Sequence, residues 1–248
     1  DPMILTIDIG NSNIVIGIPK DGDYQTVRYR TDILKSSDEY YALLKPHFEA
    51  ATGVVISSVV PPLNDVFKTF IDQYTKLPLI WVGPGVKTGV RVVTENPKEV
   101  GADLVAVAAG AITHYGSDAV LIDCGTATTI TQLKDKEIKG VAIAIGLDAS
   151  RDCLIQRASK LSSFAFEVPK TILGNTTLSA LNTGFIHGHV FMLQGFVEAL
   201  RKQENNPTLP VIVTGGGARL LEALFPKDYI LDHTIIFKGL EAIYQKNT

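Results

Sequence analysis

The apolar positions of this chain switch between two periods. MILTIDIG (from Met3) and NIVIGIP (from Asn13) are β-branched runs of strand length. After the turn signal KDGD comes TVRYRT, so the opening reads as a β-meander. SSDEYYALLKPHFEA then shifts to helical spacing, with Ser/Asp capping candidates and Tyr40, Leu43, Leu44 and Phe48 on one face. GVVISSVV is a strand running into a turn, PPLNDVFKTFIDQY a helix with Pro near its start, and PLIWVG a strand in which Trp81 reads as core. From about Gly101 the order begins again. ADLVAVAAGAITHYG is a helix; AVLIDCG, TTITQL and EIKGVAIAI are strands; helices follow around 147–162 and 176–203. PVIVTGG, ARLLEALF and YILD give strand, helix and strand, and a closing helix is expected from about Gly239. Two α/β halves with the same strand-first order, 1–103 and 104–248, point to a duplicated domain.

Each half carries the same device. IDIGNSN (from Ile7) and IDCGTAT (from Ile122) both end an apolar strand in Asp, any residue, Gly and small polar residues. Glycine lets backbone N–H groups approach an anion without a Cβ in the way, and Asn11, Ser12, Asn13, Thr126, Thr128 and Thr129 add donors. The aspartates cannot bind phosphate themselves, so Asp8 and Asp123 are candidates for holding a cation that bridges to it. Asx-turn chemistry in an ordinary hairpin yields the same residue types; the repetition favours phosphate. A third cluster, VIVTGGGARLL, leads from a strand through Thr214 and Gly215 to Gly217 into a helix, thin enough for a ring or ribose to rest on. It is neither GxGxxG nor a P-loop.

Charge and composition narrow the field. The chain has 248 residues, 46% hydrophobic and 20% charged, with a formal net charge of −3. That favours neither nucleic acid nor an anionic membrane as partner. Cys124 and Cys153 are too few for a disulfide framework and lack metal-ligand spacing, so the expected compartment is a reducing cytoplasm. No run is apolar enough to span a bilayer, the N-terminal stretch does not read as a basic region followed by an apolar core and a cleavage site, and Asp1 and Pro2 read as a cloning remnant. His187 and His189, two apart on a helix, point in different directions and cannot both ligate one metal without a bend.

Six segments, in this order and spacing, resemble the type III pantothenate kinases of the actin, Hsp70 and sugar kinase superfamily. They are DIGNSN (8–13), NPKEVGAD (96–103), DCGTATT (123–129), TTLSALNTGFIHG (176–188), TGGGARLL (214–221) and KGLEAIYQKN (238–247). The resemblance implies two tandem ribonuclease-H-like domains, with mixed sheets and flanking helices, that clamp ATP between them. It implies ATP-dependent phosphorylation of pantothenate, with Asp103 as the base that receives the hydroxyl proton. Read from its position alone, Asp103 is equally a stabilising first-turn acid that stays ionised. By the same resemblance Asp8, Ile9, Gly10, Asn11, Ser12, Asn13, Ile14 and Val15, with Thr126, Gly215 and Gly216, bind ATP, and Asp8 lies near its Mg²⁺. Asp123 looks like the ligand of a monovalent cation, K⁺ or NH₄⁺, which suits an oxygen site with one carboxylate. Thr94, Gly101, Ala102, Asp103, Leu104 and Thr177 fall at substrate positions, and Thr177 implies a homodimer because it reaches pantothenate from the neighbouring subunit. The alternative for its long apolar helix is burial at the centre of its own half.

The acceptor segments depart from the pattern. Leu104 stands where the family usually has arginine, and Thr94 where it has tyrosine. KGVAIAIGL replaces a Gly-Gly followed by Pro-Gly, and Thr176 replaces an Asn. Leucine cannot replace a bidentate arginine contact to a carboxylate. A kinase of another small hydroxylated substrate, or a non-catalytic regulatory homologue, is therefore the alternative reading.

Overall fold

A computed structural model describes residues 2–158 and 161–248. The chain through Gly116 forms one unit together with Thr234–Thr248, and Ser117–His233 forms another.

In the first unit, β1 (Ile4–Ile9), β2 (Asn13–Lys20) and β3 (Asp23–Arg30) make the expected antiparallel meander. α1 (Ser37–Phe48) leads to β4 (Gly53–Ser58), and α2 (Pro61–Phe70) with a π-helical turn leads to β5 (Leu79–Trp81). Both strands add parallel to β1, giving the order β3-β2-β1-β4-β5. A short β6 (Arg91–Val92), which the sequence does not announce, precedes α3 (Ala102–His114). Strand alternation sends Leu5, Ile7 and Ile9 into a core with Tyr40, Leu44, Phe48, Leu63, Phe67 and Phe70 of α1 and α2. The α1 stripe is narrower than expected: Leu43 is exposed, because positions 40, 44 and 48 already form the buried row. Ser36 and Glu39 close a capping box at its start. Trp81 is partly buried against this core, with Lys68 Nζ 4.8 Å from its ring centroid.

The second unit repeats this order. β7 (Ala119–Cys124), β8 (Ala127–Lys134) and β9 (Glu137–Ile145) are antiparallel. β10 (Val211–Thr214) and β11 (Tyr229–Leu231) then extend β7 in parallel, giving β11-β10-β7-β8-β9. α4 (Leu147–Arg157) and α5 (Thr177–Gln203) stand where the first unit has α1, and α6 (Ala218–Leu221) where it has α2. α4 ends short of the expected 162; Ser159 and Lys160, at that expected end, lie outside the described residues. ARLLEALF is α6 followed by a 3-10 turn at Glu222–Leu224. Ile186, Val190, Leu193 and Val197 of α5 pack on Val120, Ile122, Val211 and Val213.

The division between units does not fall at residue 103. α3 stays whole in the first unit, and α7 (Ile235–Lys246), a turn longer at its start than expected, returns to it. The reason is close helix contact. A Cβ on Gly239 would lie 1.8 Å from Ala106 O, and one on Gly110 would lie 2.3 Å from Ile235 O, so α3 and α7 meet backbone to backbone. α7 also covers β1 and β2, where a Cβ on Gly17 would strike Phe237 and the Thr6 hydroxyl at 2.5 Å.

Candidate active site

The face that α7 covers is the face that carries Asp8. Ile4, Thr6 and Asp8 alternate with the core residues, and Thr6 stands opposite Gly17 beneath Phe237. After Asp8 the chain turns tightly: Gly10 N–H donates to Asn13 O at 2.9 Å. Thr31, just beyond β3, pins the turn by donating its N–H to Ser12 O at 3.1 Å and its hydroxyl to Gly10 O at 2.6 Å. Nothing in the sequence marks Thr31; only the β2–β3 register delivers it. Asn11 and Ser12 are exposed and Asp8, Asn13 and Val15 half-buried. Ile9 and Ile14 are fully buried, so those two can offer a ligand only their backbone.

Asp103 lies in the same unit, in the first turn of α3. The end of β4 connects the two carboxylates: Val59 N–H donates to Ile9 O at 3.0 Å, and Val59 Cγ1 would be 3.4 Å from a Cβ on Gly101. That hypothetical Cβ would meet Asp103 Oδ1 at 2.4 Å, so glycine at 101 makes room for the carboxylate. Leu104 N–H donates to the same oxygen at 2.8 Å. Burial pushes the Asp103 carboxyl above the usual carboxylate range, opposed by that hydrogen bond and one from its own N–H. A simple surface acid at a helix start would show the reverse, so burial alters the expectation that the dipole alone governs it. Ala102 and Leu104 flank it, half-buried. The Thr94 hydroxyl is buried without a hydrogen-bond partner, a state that ordinarily costs about 1–3 kcal/mol and that a bound donor or acceptor would relieve.

In the second unit, glycine backbones gather around the end of β7. Gly125 N–H donates to Ala127 O at 3.1 Å, the counterpart of the Gly10 bond. Gly215, at φ +93°, would place a Cβ 2.5 Å from Asp123 Oδ1, and Gly217 N–H donates to Cys124 O at 2.8 Å. Gly216, between them, is exposed. Gly146, which closes the KGVAIAIGL segment before Leu147 and begins α4, joins them: its N–H donates to Thr126 O at 3.2 Å, and a Cβ there would be 2.4 Å from that oxygen. Its signal was the glycine that closes a strand just before a helical run. Gly125 and Thr126 are exposed, and Asp123 is half-buried opposite Thr129, whose buried hydroxyl has no hydrogen-bond partner.

The remaining candidates separate cleanly. Thr128 turns inward to His189, Oγ1 to Nε2 at 2.9 Å, so it is a core pair rather than a phosphate donor. Burial holds the His189 imidazole below its usual value. His187 instead stacks on Phe191, so the two histidines, two residues apart, point in different directions. The Cys124 thiol is pushed up to about 12 by burial, which removes it from nucleophilic chemistry at neutral pH. Thr177 is exposed at the start of α5, whose Thr176 cap accepts from Ser179 N–H. Among the described residues no three His, Cys, Asp or Glu side chains are grouped to hold a metal, and no helix is long and apolar enough to cross a membrane.

This chain is similar to known proteins. The family profile described as type III pantothenate kinase matches residues 4–199. Among solved structures, a Campylobacter jejuni protein described as a Baf family transcriptional activator is similar over 98% of both chains, with 19% identity and a TM-score of 0.65. A Sinorhizobium meliloti protein described as a 2-dehydro-3-deoxygalactonokinase is similar over 98% of this chain and 96% of that one, with 12% identity and a TM-score of 0.57. MreB 5 of Spiroplasma citri, bound to AMPPNP, is similar over 98% of this chain and 97% of its own, with 12% identity and a TM-score of 0.52. At such identities these structures establish a shared actin-like ATPase and sugar kinase fold.

Proposed function

The chain belongs to the type III pantothenate kinase family, and from that premise we propose that it transfers the γ-phosphoryl group of Mg·ATP to the 4′-hydroxyl of pantothenate, the first step of coenzyme A synthesis. The observation that carries the reading is Asp103: a carboxylate in the first turn of α3, drawn by the Val59 turn to the same end of the sheet as Asp8, with its pKa raised by burial. A base works best when its pKa approaches the working pH, and phosphoryl transfer asks mainly that it orient the hydroxyl and receive its proton. Backbone N–H groups of each unit's glycine hairpin, Gly10 in the first and Gly125 in the second, are suited to phosphate oxygens, and the Gly215–Gly217 turn of the second unit is suited to a nucleoside.

The donor sets fit the cations such a reaction uses. Mg²⁺ ordinarily comes with the nucleotide and needs only one or two protein carboxylates, which suits the single Asp8. Asp123, beside the Thr129 hydroxyl, offers one charge and neutral oxygen, a site for K⁺ or NH₄⁺. A cation held at either aspartate would supply positive charge to phosphate oxygens.

α5 supports a homodimer. Its inner face is core, while Gly184, Gly188 and Gly195 line an outward face with open space around them and Phe191 stands 52% exposed. A second copy of that face would cover Phe191 and bring Thr177 to the partner's acceptor site. Light scattering should give twice the chain mass for wild type, and Phe191→Glu should shift it to the monomer; a wild-type monomer ends the dimer reading.

The second reading rests on Leu104 and the unpartnered Thr94 hydroxyl, which present no cation to a carboxylate. It makes the acceptor a small hydroxylated molecule without one. A coupled ADP-release assay decides, run with pantothenate and a panel of small alcohols in potassium, ammonium and sodium salts. Pantothenate turnover, faster in potassium or ammonium than in sodium, is expected. Turnover of an uncharged alcohol alone selects the second reading, and no turnover of anything selects a regulatory homologue.

A further inference from the structure

β4 ends in adjacent serines with separate tasks. Ser58 braces the turn into α2: its Oγ donates to Asn64 Oδ1 at 2.8 Å and accepts Val60 N–H at 3.2 Å. Ser57 faces the other side, is fully buried, and donates its hydroxyl to Asp8 Oδ1 at 2.9 Å. The strand cannot slip away from this contact. Ser57 is in parallel register with Asp8, and Val59 N–H is tied to Ile9 O just beyond.

A strand buried on both faces wants β-branched apolar residues throughout. Val54, Val55 and Ile56 comply, and the hydroxyl enters only where the strand meets Asp8. The second sheet repeats the substitution. Val211, Ile212 and Val213 are apolar, and then Thr214 stands in register with Asp123. In both units the hairpin aspartate therefore has a hydroxyl residue beside it on the neighbouring parallel strand.

We propose that Ser57 is a positioning residue for Asp8, holding one carboxylate oxygen so that the side chain meets the Mg²⁺ of Mg·ATP in a single orientation. The proposal rests on the kinase reading and adds a residue to it. A hydrogen bond to an ionised group is among the stronger ones, and fixing the carboxylate beforehand spares its rotational freedom on binding.

Calorimetry on the full chain tests it, with wild type, Ser57→Ala, Ser57→Cys, Asp8→Asn and the Ser57→Ala/Asp8→Asn pair. Ser57→Ala should weaken Mg·ATP binding about 10-fold, Ser57→Cys less, and neither should change binding of ATP in excess chelator. In the Asp8→Asn background, Ser57→Ala should add nothing, because the two act as one unit. Equal Mg·ATP affinity in wild type and both Ser57 variants overturns the proposal, as does a Ser57→Ala loss that persists without magnesium or simply adds to that of Asp8→Asn. The cysteine variant keeps the volume and a weak donor, so the comparison survives if the alanine variant does not fold. A wild type that binds no Mg·ATP removes the kinase reading and this proposal together.

Discussion

Asp103→Asn should lower kcat by at least about 100-fold, the contribution of a positioned base, while leaving the fold and Mg·ATP binding intact. Asparagine keeps an oxygen to accept the Leu104 N–H, so the start of α3 is undisturbed. It cannot take a proton from the attacking hydroxyl. The stability sign separates this role from a structural one. Burial raises the folded-state pKa of Asp103, so the folded protein favours its protonated form, and that preference is lost as pH rises through the raised value. At neutral pH the carboxylate is therefore a small burden on the fold, and the neutral asparagine should hold or raise Tm. A stabilising helix-terminal acid predicts the opposite, normal turnover with a lowered Tm. The same shift moves the acid limb of the wild-type pH–rate profile above the ordinary aspartate range. A profile flat through that range would mean that Asp103 does not titrate in catalysis.

Gly239→Ala should destabilise the protein, against what helix propensity alone predicts. In the interior of a helix, alanine is favoured over glycine by about 1 kcal/mol. At this position the new Cβ would lie 1.8 Å from Ala106 O and 2.8 Å from Gly110 N. Those atoms are backbone inside α3, so no side chain can turn aside, and the helices must separate. Overpacking of this kind costs about 3 kcal/mol, so the steric term wins by about 2 kcal/mol. For a chain of this size that lowers Tm by roughly 4–8 °C. A raised Tm would show that α3 and α7 are not in backbone contact.

Much of this protein is determined locally and is legible in its sequence. The strands, helices and two Asp-Gly hairpins follow from period, β-branching and glycine placement, and each is set by interactions within a few residues. The strand-first repeat also carried the matching sheet orders. His187 and His189 diverge as their spacing demands, and Asp103 sits in the first helical turn that the Asn-Pro segment announces.

What the tertiary structure decided are the contacts between segments far apart in the chain. Period alone cannot tell that α7 returns to the first unit, because that depends on Gly110 and Gly239 allowing two helices to touch, and each glycine by itself reads as a helix weakness. Thr31, Ser57 and Gly146 join the hairpins only through register and packing, and no local pattern assigns any of them that role. Thr128 looks like Thr126 in sequence, yet strand alternation turns it inward to His189. Asp103 likewise has a helix-dipole signature that any exposed first-turn acid shares; its raised pKa comes from burial, which no local pattern encodes. Secondary structure and turns are short-range, whereas desolvation and backbone contact are properties of the assembled fold.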